Sequence, residues 1–206
     1  IKDLTKKIAY VKLGDDTNMV FVETLKKYTE VTTVSAPTIT ELNAKLKKFD
    51  IVIVGFHKSD KPWKNHDFTN VEVNWLNEIA INNDVILDVF AKPYSLLKIK
   101  SFSNIESVLL SYQNNKYAHQ VSAQIIFGVL QAKGKLPVSV GNSFAVNTTN
   151  KIKTFNRLGF TVPENVGMSS KKLDEIEVIA NKAINGGMAP GMQILVARKG
   201  KVIYQK

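Results

Sequence analysis

Asp50-Ile51-Val52-Ile53-Val54-Gly55 decides the fold. Successive side chains of a strand point to opposite faces, so four consecutive β-branched residues leave no face for water. A strand apolar on both sides belongs to the interior of a parallel sheet covered by helices. Upstream, Thr38 to Lys48 is an amphipathic helix with Leu42 and Leu46 on one face, and Val31-Thr32-Thr33-Val34 is a second, β-branched strand. Before it, Val20, Phe21, Leu25 and Tyr28 recur at helical spacing, with Asp16 or Thr17 placed to cap that helix. Ile8-Ala9-Tyr10-Val11 is the first strand, closed by Gly14-Asp15-Asp16.

Downstream, a polar loop from His57 to Asn70 leads to a helix around Val73, Trp75, Leu76 and Ile79. Val85 to Phe90 is the fourth strand. Pro93 breaks the chain, a short helix covers Leu96-Leu97, and Ser107-Val108-Leu109-Leu110 is the fifth strand. A helix from about Lys116 to Leu130 is expected to turn Val121, Ile125 and Val129 inward. Strands alternating with helices imply right-handed crossovers, hence an α/β three-layer sandwich with a mostly parallel, flavodoxin-like sheet.

The character changes after Pro137. Residues 143–165 are polar and predicted to be a linker. Ser169-Ser170 then precede a helix with Leu173, Ile176, Ile179, Ala180 and Ile184 on one side, ended by Gly186-Gly187. Met192 to Ala197, the turn Lys199-Gly200 and Val202-Ile203-Tyr204 form a β-hairpin. One helix and one hairpin make a small core, so residues 166–206 are expected to be the truncated start of a second domain.

Composition narrows the functional classes. The chain has 206 residues, 44% of them hydrophobic, no cysteine and a net charge of +10. Without cysteine there is neither a disulfide framework nor a thiolate metal site. Only Arg157 and Arg198 are arginines, and the lysines are scattered along several helices. Phosphate and base readers concentrate arginine on one surface, so no nucleic-acid partner is expected. No apolar run reaches the roughly 20 residues that span a bilayer, and no membrane partner is expected. The first residues lack a signal-peptide layout. A periplasmic or cell-envelope location is expected only if the parent protein carries such a signal.

Four ordered segments carry a family resemblance: Val89-Phe90-Ala91-Lys92-Pro93-Tyr94, Val108 to Asn114, Ala123 to Gly128, and Gly134-Lys135-Leu136-Pro137-Val138-Ser139-Val140. Together they resemble the C-terminal α/β domain of glycoside hydrolase family 3, nearest its β-N-acetylhexosaminidase branch, over residues 1–142. Val162 to Ser169, Ala189-Pro190-Gly191-Met192 and Val196 to Val202 are similar to the beginning of a serine β-lactamase-like domain. The resemblance implies a parent that cleaves glycosidic bonds in N-acetylglucosamine-containing glycans. It also implies a barrel domain before this chain and a serine hydrolase domain after it as partners.

It further implies that the catalytic groups lie elsewhere. Retaining glycosidases need two carboxyls about 5–5.5 Å apart across one bond. In the hexosaminidase branch both acid and nucleophile belong to the barrel. In the glucosidase branch a glutamate of this domain serves as acid, but residues 56–71 hold Asp60 and Asp67 and no glutamate. No catalytic residue is therefore assigned. His66-Asp67 is read as a loop pair, and His57, Asp60, His66 and Asp67 lack metal-ligand spacing. Ser169-Ser170-Lys171-Lys172 matches Ser-x-x-Lys literally, but serines at the start of an amphipathic run are capping residues. No phosphate-loop or dinucleotide pattern occurs, so no cofactor is expected.

Ligands of open α/β sheets approach the carboxyl ends of the strands. There His57, Lys58, Tyr94 and Tyr112 are the candidates for contact with a glycan. Two other readings compete. A stand-alone glycan-binding module would bind without cleaving. A receiver-like signalling domain would use Asp15-Asp16 and Lys92-Pro93, but Gly55-Phe56 stands where its phosphoacceptor aspartate should be.

Overall fold

The computed structural model describes residues 1–206, which divide into two compact units, Ile1–Lys153 and Thr154–Lys206. The first is built from β1 (Ile8–Gly14), α1 (Met19–Leu25), β2 (Val31–Thr33), α2 (Ile39–Leu46), β3 (Ile51–His57), α3 (Asn70–Asn82), β4 (Val85–Phe90), β5 (Ile105–Leu110) and α4 (Lys116–Ile126). A 3-10 turn over Pro93–Lys98 joins β4 to β5. Its five strands are all parallel, in the order β2-β1-β3-β4-β5. The α/β sandwich read from the sequence is the fold of this unit.

Side-chain parity sorts the sheet into two unlike faces. Ala9, Val11, Val52, Val54, Phe56, Leu87 and Val89 pack with residues of α2 and α3 in one hydrophobic core. Ile8, Tyr10, Ile53 and Phe90 point the other way, to Phe21 and Leu25 of α1 and to Ala123 and Ile126 of α4. Val52, Ile53, Val54 and Phe56 are all fully buried, each stabilising the fold by about 1.5–3 kcal/mol. The middle strand is the one that the apolar run demanded.

Local signals set the helix starts. Thr69 opens α3 with a reciprocal capping box: its hydroxyl accepts from Glu72 N–H while Glu72 accepts from Thr69 N–H. Thr38 caps α2 by accepting from Glu41 N–H. Neither Asp16 nor Thr17 caps α1. Asn18 occupies that position, and its side chain makes no capping bond. It is drawn instead into the buried polar network described below. In α4 the inward face is also displaced from the predicted one. His119, Ser122, Ala123, Gln124 and Ile126 are buried, whereas Val121 is 46% exposed.

The second unit holds β6 (Gly159–Phe160), α5 (Ser170–Asn185), β7 (Leu195–Arg198) and β8 (Lys201–Gln205). β7 and β8 form the expected hairpin about Lys199-Gly200, both in the left-handed region. β6, too short to leave a periodic trace in the sequence, pairs parallel to β8. Ser169 Oγ accepts from Lys172 N–H, so this serine is a helix cap. Only Leu173 of α5 is buried, and Ile179 is 69% exposed. The core consists of Val166, Leu173, Ile203 and Tyr204 with four partly buried neighbours. Amides of residues 166–206 are accordingly expected to exchange with solvent orders of magnitude faster than those of β1, β3 and β4. Hydrogen exchange read by mass spectrometry checks this, and uniform protection would contradict it. The segment predicted as a linker, 143–165, is shared between the two units.

Candidate functional site

The strand order reverses between β1 and β3, and there the carboxyl ends of the strands are closed. Asp15 and Asp16 both donate their backbone N–H to the His57 carbonyl, at 3.1 and 3.3 Å. Gly14 allows this approach. Its φ is +86°, and a Cβ there would lie 2.1 Å from the His57 oxygen. Only glycine combines that conformation with that contact.

Beneath this seam, on the face shared by α1 and α4, lies a chain of polar side chains. Asn114 Oδ1 accepts from His57 Nδ1 at 2.8 Å and from His119 Nε2 at 2.8 Å. The amide orientation follows from its other end, since Asn114 Nδ2 donates to Thr17 O at 3.1 Å. An oxygen only accepts, so His57 carries its proton on Nδ1 and its Nε2 is bare. That bare nitrogen accepts from the Tyr10 hydroxyl at 2.9 Å, and Tyr10 Oη accepts from Asn18 Nδ2 at 3.1 Å. Gly55 makes room for this contact, because a Cβ there would meet His57 Nε2 at 2.6 Å and Tyr10 Oη at 2.8 Å.

The same reasoning gives His119 a proton on Nε2 and a bare Nδ1, which is buried without a partner. Aromatic rings enclose the pair: His57 stacks on Phe90 at 4.5 Å, and His119 meets the edge of Phe90 at 4.7 Å. Burial in this setting lowers the His57 pKa to about 3 and holds His119 below the usual imidazole value. It pushes the Tyr10 hydroxyl upward. Both imidazoles are neutral structural groups at neutral pH.

A second buried polar group lies on the same face. Asp88 of β4 is fully buried, accepts from Ser111 Oγ at 2.7 Å and from Ser122 Oγ, and has no cationic partner. Burial raises its pKa to about 7, with the serine hydroxyls pulling the other way.

The four glycan-contact candidates separate in space. His57 is 0% exposed, with both ring nitrogens hydrogen-bonded within the protein. Lys58, 4% exposed, pairs with Glu72 at 3.3 Å and Asp15 at 3.9 Å. Its ammonium also lies 5.2 Å from the Phe56 ring centroid. Tyr94 and Tyr112 are on the surface, at 54% and 38% exposure. The structure thus makes the first two internal supports and leaves the last two open to solvent.

The acids of this edge are engaged as well. Glu72, one residue beyond the 56–71 loop, accepts from Thr69 N–H at 2.7 Å and pairs with Lys58. Asp60 accepts from Asn114 N–H at 2.9 Å, and Asp16 accepts from Thr17 N–H at 2.8 Å. No cluster of three or more His, Asp or Glu residues is arranged to hold a metal ion. Sequence reasoning had not singled out Asn114, His119, Asp88 or Tyr10. The one available signal was positional: His119 sits in register with Ser122, Ala123 and Ile126, and a histidine on an inward face needs a buried partner.

No family model matches the chain, and no curated protein matches it. Among solved structures the chain is similar to a beta-glucoside phosphorylase, BglX, bound to 2FGlc: 18% identity, TM-score 0.44, covering 65% of this chain and 26% of that one. It is also similar to a protein from Burkholderia pseudomallei described as pilus assembly-related, at 12% identity and TM-score 0.41, covering 65% of this chain and 98% of that one. The chain spans about a quarter of the length of the phosphorylase it resembles.

Proposed function

We propose that the chain is a scaffolding α/β domain of a glycoside hydrolase-related protein, followed by the first part of a serine β-lactamase-like domain, and that it breaks no bond by itself. The observation that carries this reading is the saturated edge. The buried polar groups at the carboxyl ends of β1 and β3 are hydrogen-bonded or ion-paired within the protein, the bare Nδ1 of His119 and, in the loop after β3, the Nε2 of His66 excepted. A general acid must present a titrating proton to substrate, and a nucleophile must be free to attack. The edge offers neither. The four segments behind the resemblance support the same view by their position. They form the end of β4, β5 with its following loop, the end of α4, and the arm that follows α4, all on one half of the sheet.

In this reading the partners are a barrel before the domain and a serine hydrolase domain after it, and the substrate of the parent is an N-acetylglucosamine-containing glycan. Tyr94 and Tyr112, exposed rings at the carboxyl ends of β4 and β5, are the side chains that could touch it. The isolated chain is expected to hydrolyse neither aryl N-acetylglucosaminides nor nitrocefin. Turnover that survived purification and vanished in His66→Ala or Ser169→Ala would overturn the proposal. Titration with chitooligosaccharides distinguishes a bare scaffold, which stays silent, from a glycan-binding module, whose saturable signal should weaken in Tyr94→Ala and Tyr112→Ala.

A further inference from the structure

β5 is an edge strand, and its outer side opens on a cavity of about 540 Å³. Val108, Leu109, Leu110, Ser111 and Tyr112 all line it. Consecutive strand residues face opposite sides of a sheet, so Val108, Leu109 and Leu110 of β5 line one cavity together only through the strand's backbone edge. Ser111 N–H is given inward, to Val89 O at 2.9 Å. By alternation the N–H and C=O groups of Val108 and Leu110 point outward, and none of them makes a backbone hydrogen bond. The facing wall is formed by residues 131–136 of the arm after α4, which belong to no helix or strand.

The remaining walls carry apolar residues on both sides of the sheet plane, beside the uncharged polar Ser122, Gln131, Thr148, Thr149 and Asn150. On one side stand Val121 and Ile125, the α4 residues that the helical period would send into the core and that line this cavity instead. On the other stand Leu136 and Phe144. α4 thus carries two apolar stripes, one packed on the sheet and one left at the cavity. The only charged residues in the lining are Lys133 and Lys135.

We propose that this slot receives an extended peptide segment that adds to the sheet beside β5, apolar in its middle and acidic at its ends. The outward backbone groups of Val108 and Leu110 supply the pairing. The walls above and below ask for apolar side chains on both faces of the added strand, as in β3. The two lysines ask for acidic flanks and, with a net charge of +10, disfavour a second copy of the same chain.

The probe is a fluorescein-labelled peptide of four alternating valines and isoleucines between paired glutamates, titrated into the full chain and followed by anisotropy. Saturable binding is expected, weakened at least about tenfold when alternate amides of the peptide are N-methylated, since methylation removes its backbone donors. Val121→Glu, at an exposed position, should weaken binding to a similar degree while circular dichroism stays unchanged. The proposal is overturned if the N-methylated peptide binds equally well, which would make the slot an apolar pocket indifferent to backbone. It is equally overturned if no binding is seen, or if sedimentation shows the chain pairing with itself through this edge.

Discussion

Replacing Asn114 by alanine should destabilise the first unit by about 4 kcal/mol, because one side chain answers two buried donors. The His57 Nδ1–H and His119 Nε2–H groups both end on its Oδ1, and each buried donor left without an acceptor costs about 1–3 kcal/mol. Loss of the Nδ2 bond to Thr17 O adds to this and loosens the loop that seals β1 to β3. Phe21 and Phe90, packed against both rings, offer them no replacement acceptor. Urea denaturation of the variant measures the loss, and a value below about 1 kcal/mol would remove the network from the account of stability. Asn114→Asp keeps the acceptor and adds a negative charge, so it should recover part of the loss and raise the pKa of His57. Imidazole chemical shifts would report that rise directly.

The second expected result concerns acid. Asp88 and His57 are both buried uncharged, yet they act on stability in opposite directions. Asp88 titrates near 7 in the folded chain against an ordinary 3.8. Its stabilising contribution is complete below the ordinary value and lost as pH rises through the folded one. His57 titrates near 3 against an ordinary 6.5. Its contribution is present above the ordinary value and lost as pH falls towards the folded one. Between about pH 4 and about pH 6.5 the Asp88 gain offsets the His57 loss, while His119, also held low, adds further loss on the acid side.

Asp88→Asn removes the compensating half. Relative to the parent chain it should lose about 3 kcal/mol more on acidification across that window, at about 1.4 kcal/mol per proton per pH unit. His57→Gln should do the reverse and gain relative to the parent as pH falls. Denaturant midpoints at three pH values decide the matter. Parallel profiles for parent and Asp88→Asn would show that Asp88 is ionised in the fold.

Much of this architecture is visible in the residues alone, for a physical reason. Ile51 to Val54 admits only a strand buried on both faces, and once one strand is parallel the helices between strands follow. The cap at Ser169 was equally plain, because a hydroxyl before an amphipathic run has one obvious acceptor role. What stayed hidden depends on tertiary pairing. Tyr10 reads as one more bulky strand residue until the bare Nε2 of His57 is found beside it. Asn18, passed over in favour of Asp16 or Thr17 as the cap of α1, shows its part only when its amide is seen donating to Tyr10. In α4 the aliphatic residues misled, since Val121 and Ile125 keep helical spacing as faithfully as the buried set does. Periodicity reveals a stripe but not which of two stripes meets the sheet.

The seam at the His57 carbonyl changes what this scaffold can be made to do. Two peptide N–H groups converge on one oxygen where open sheets of this order usually part to admit a guest, so the customary mouth is stitched shut from within. A designer wishing to install a cofactor would first have to lengthen residues 14–17 and unpick that stitch. Recognition that leaves the stitch intact is confined to the rim or to the free margin of β5.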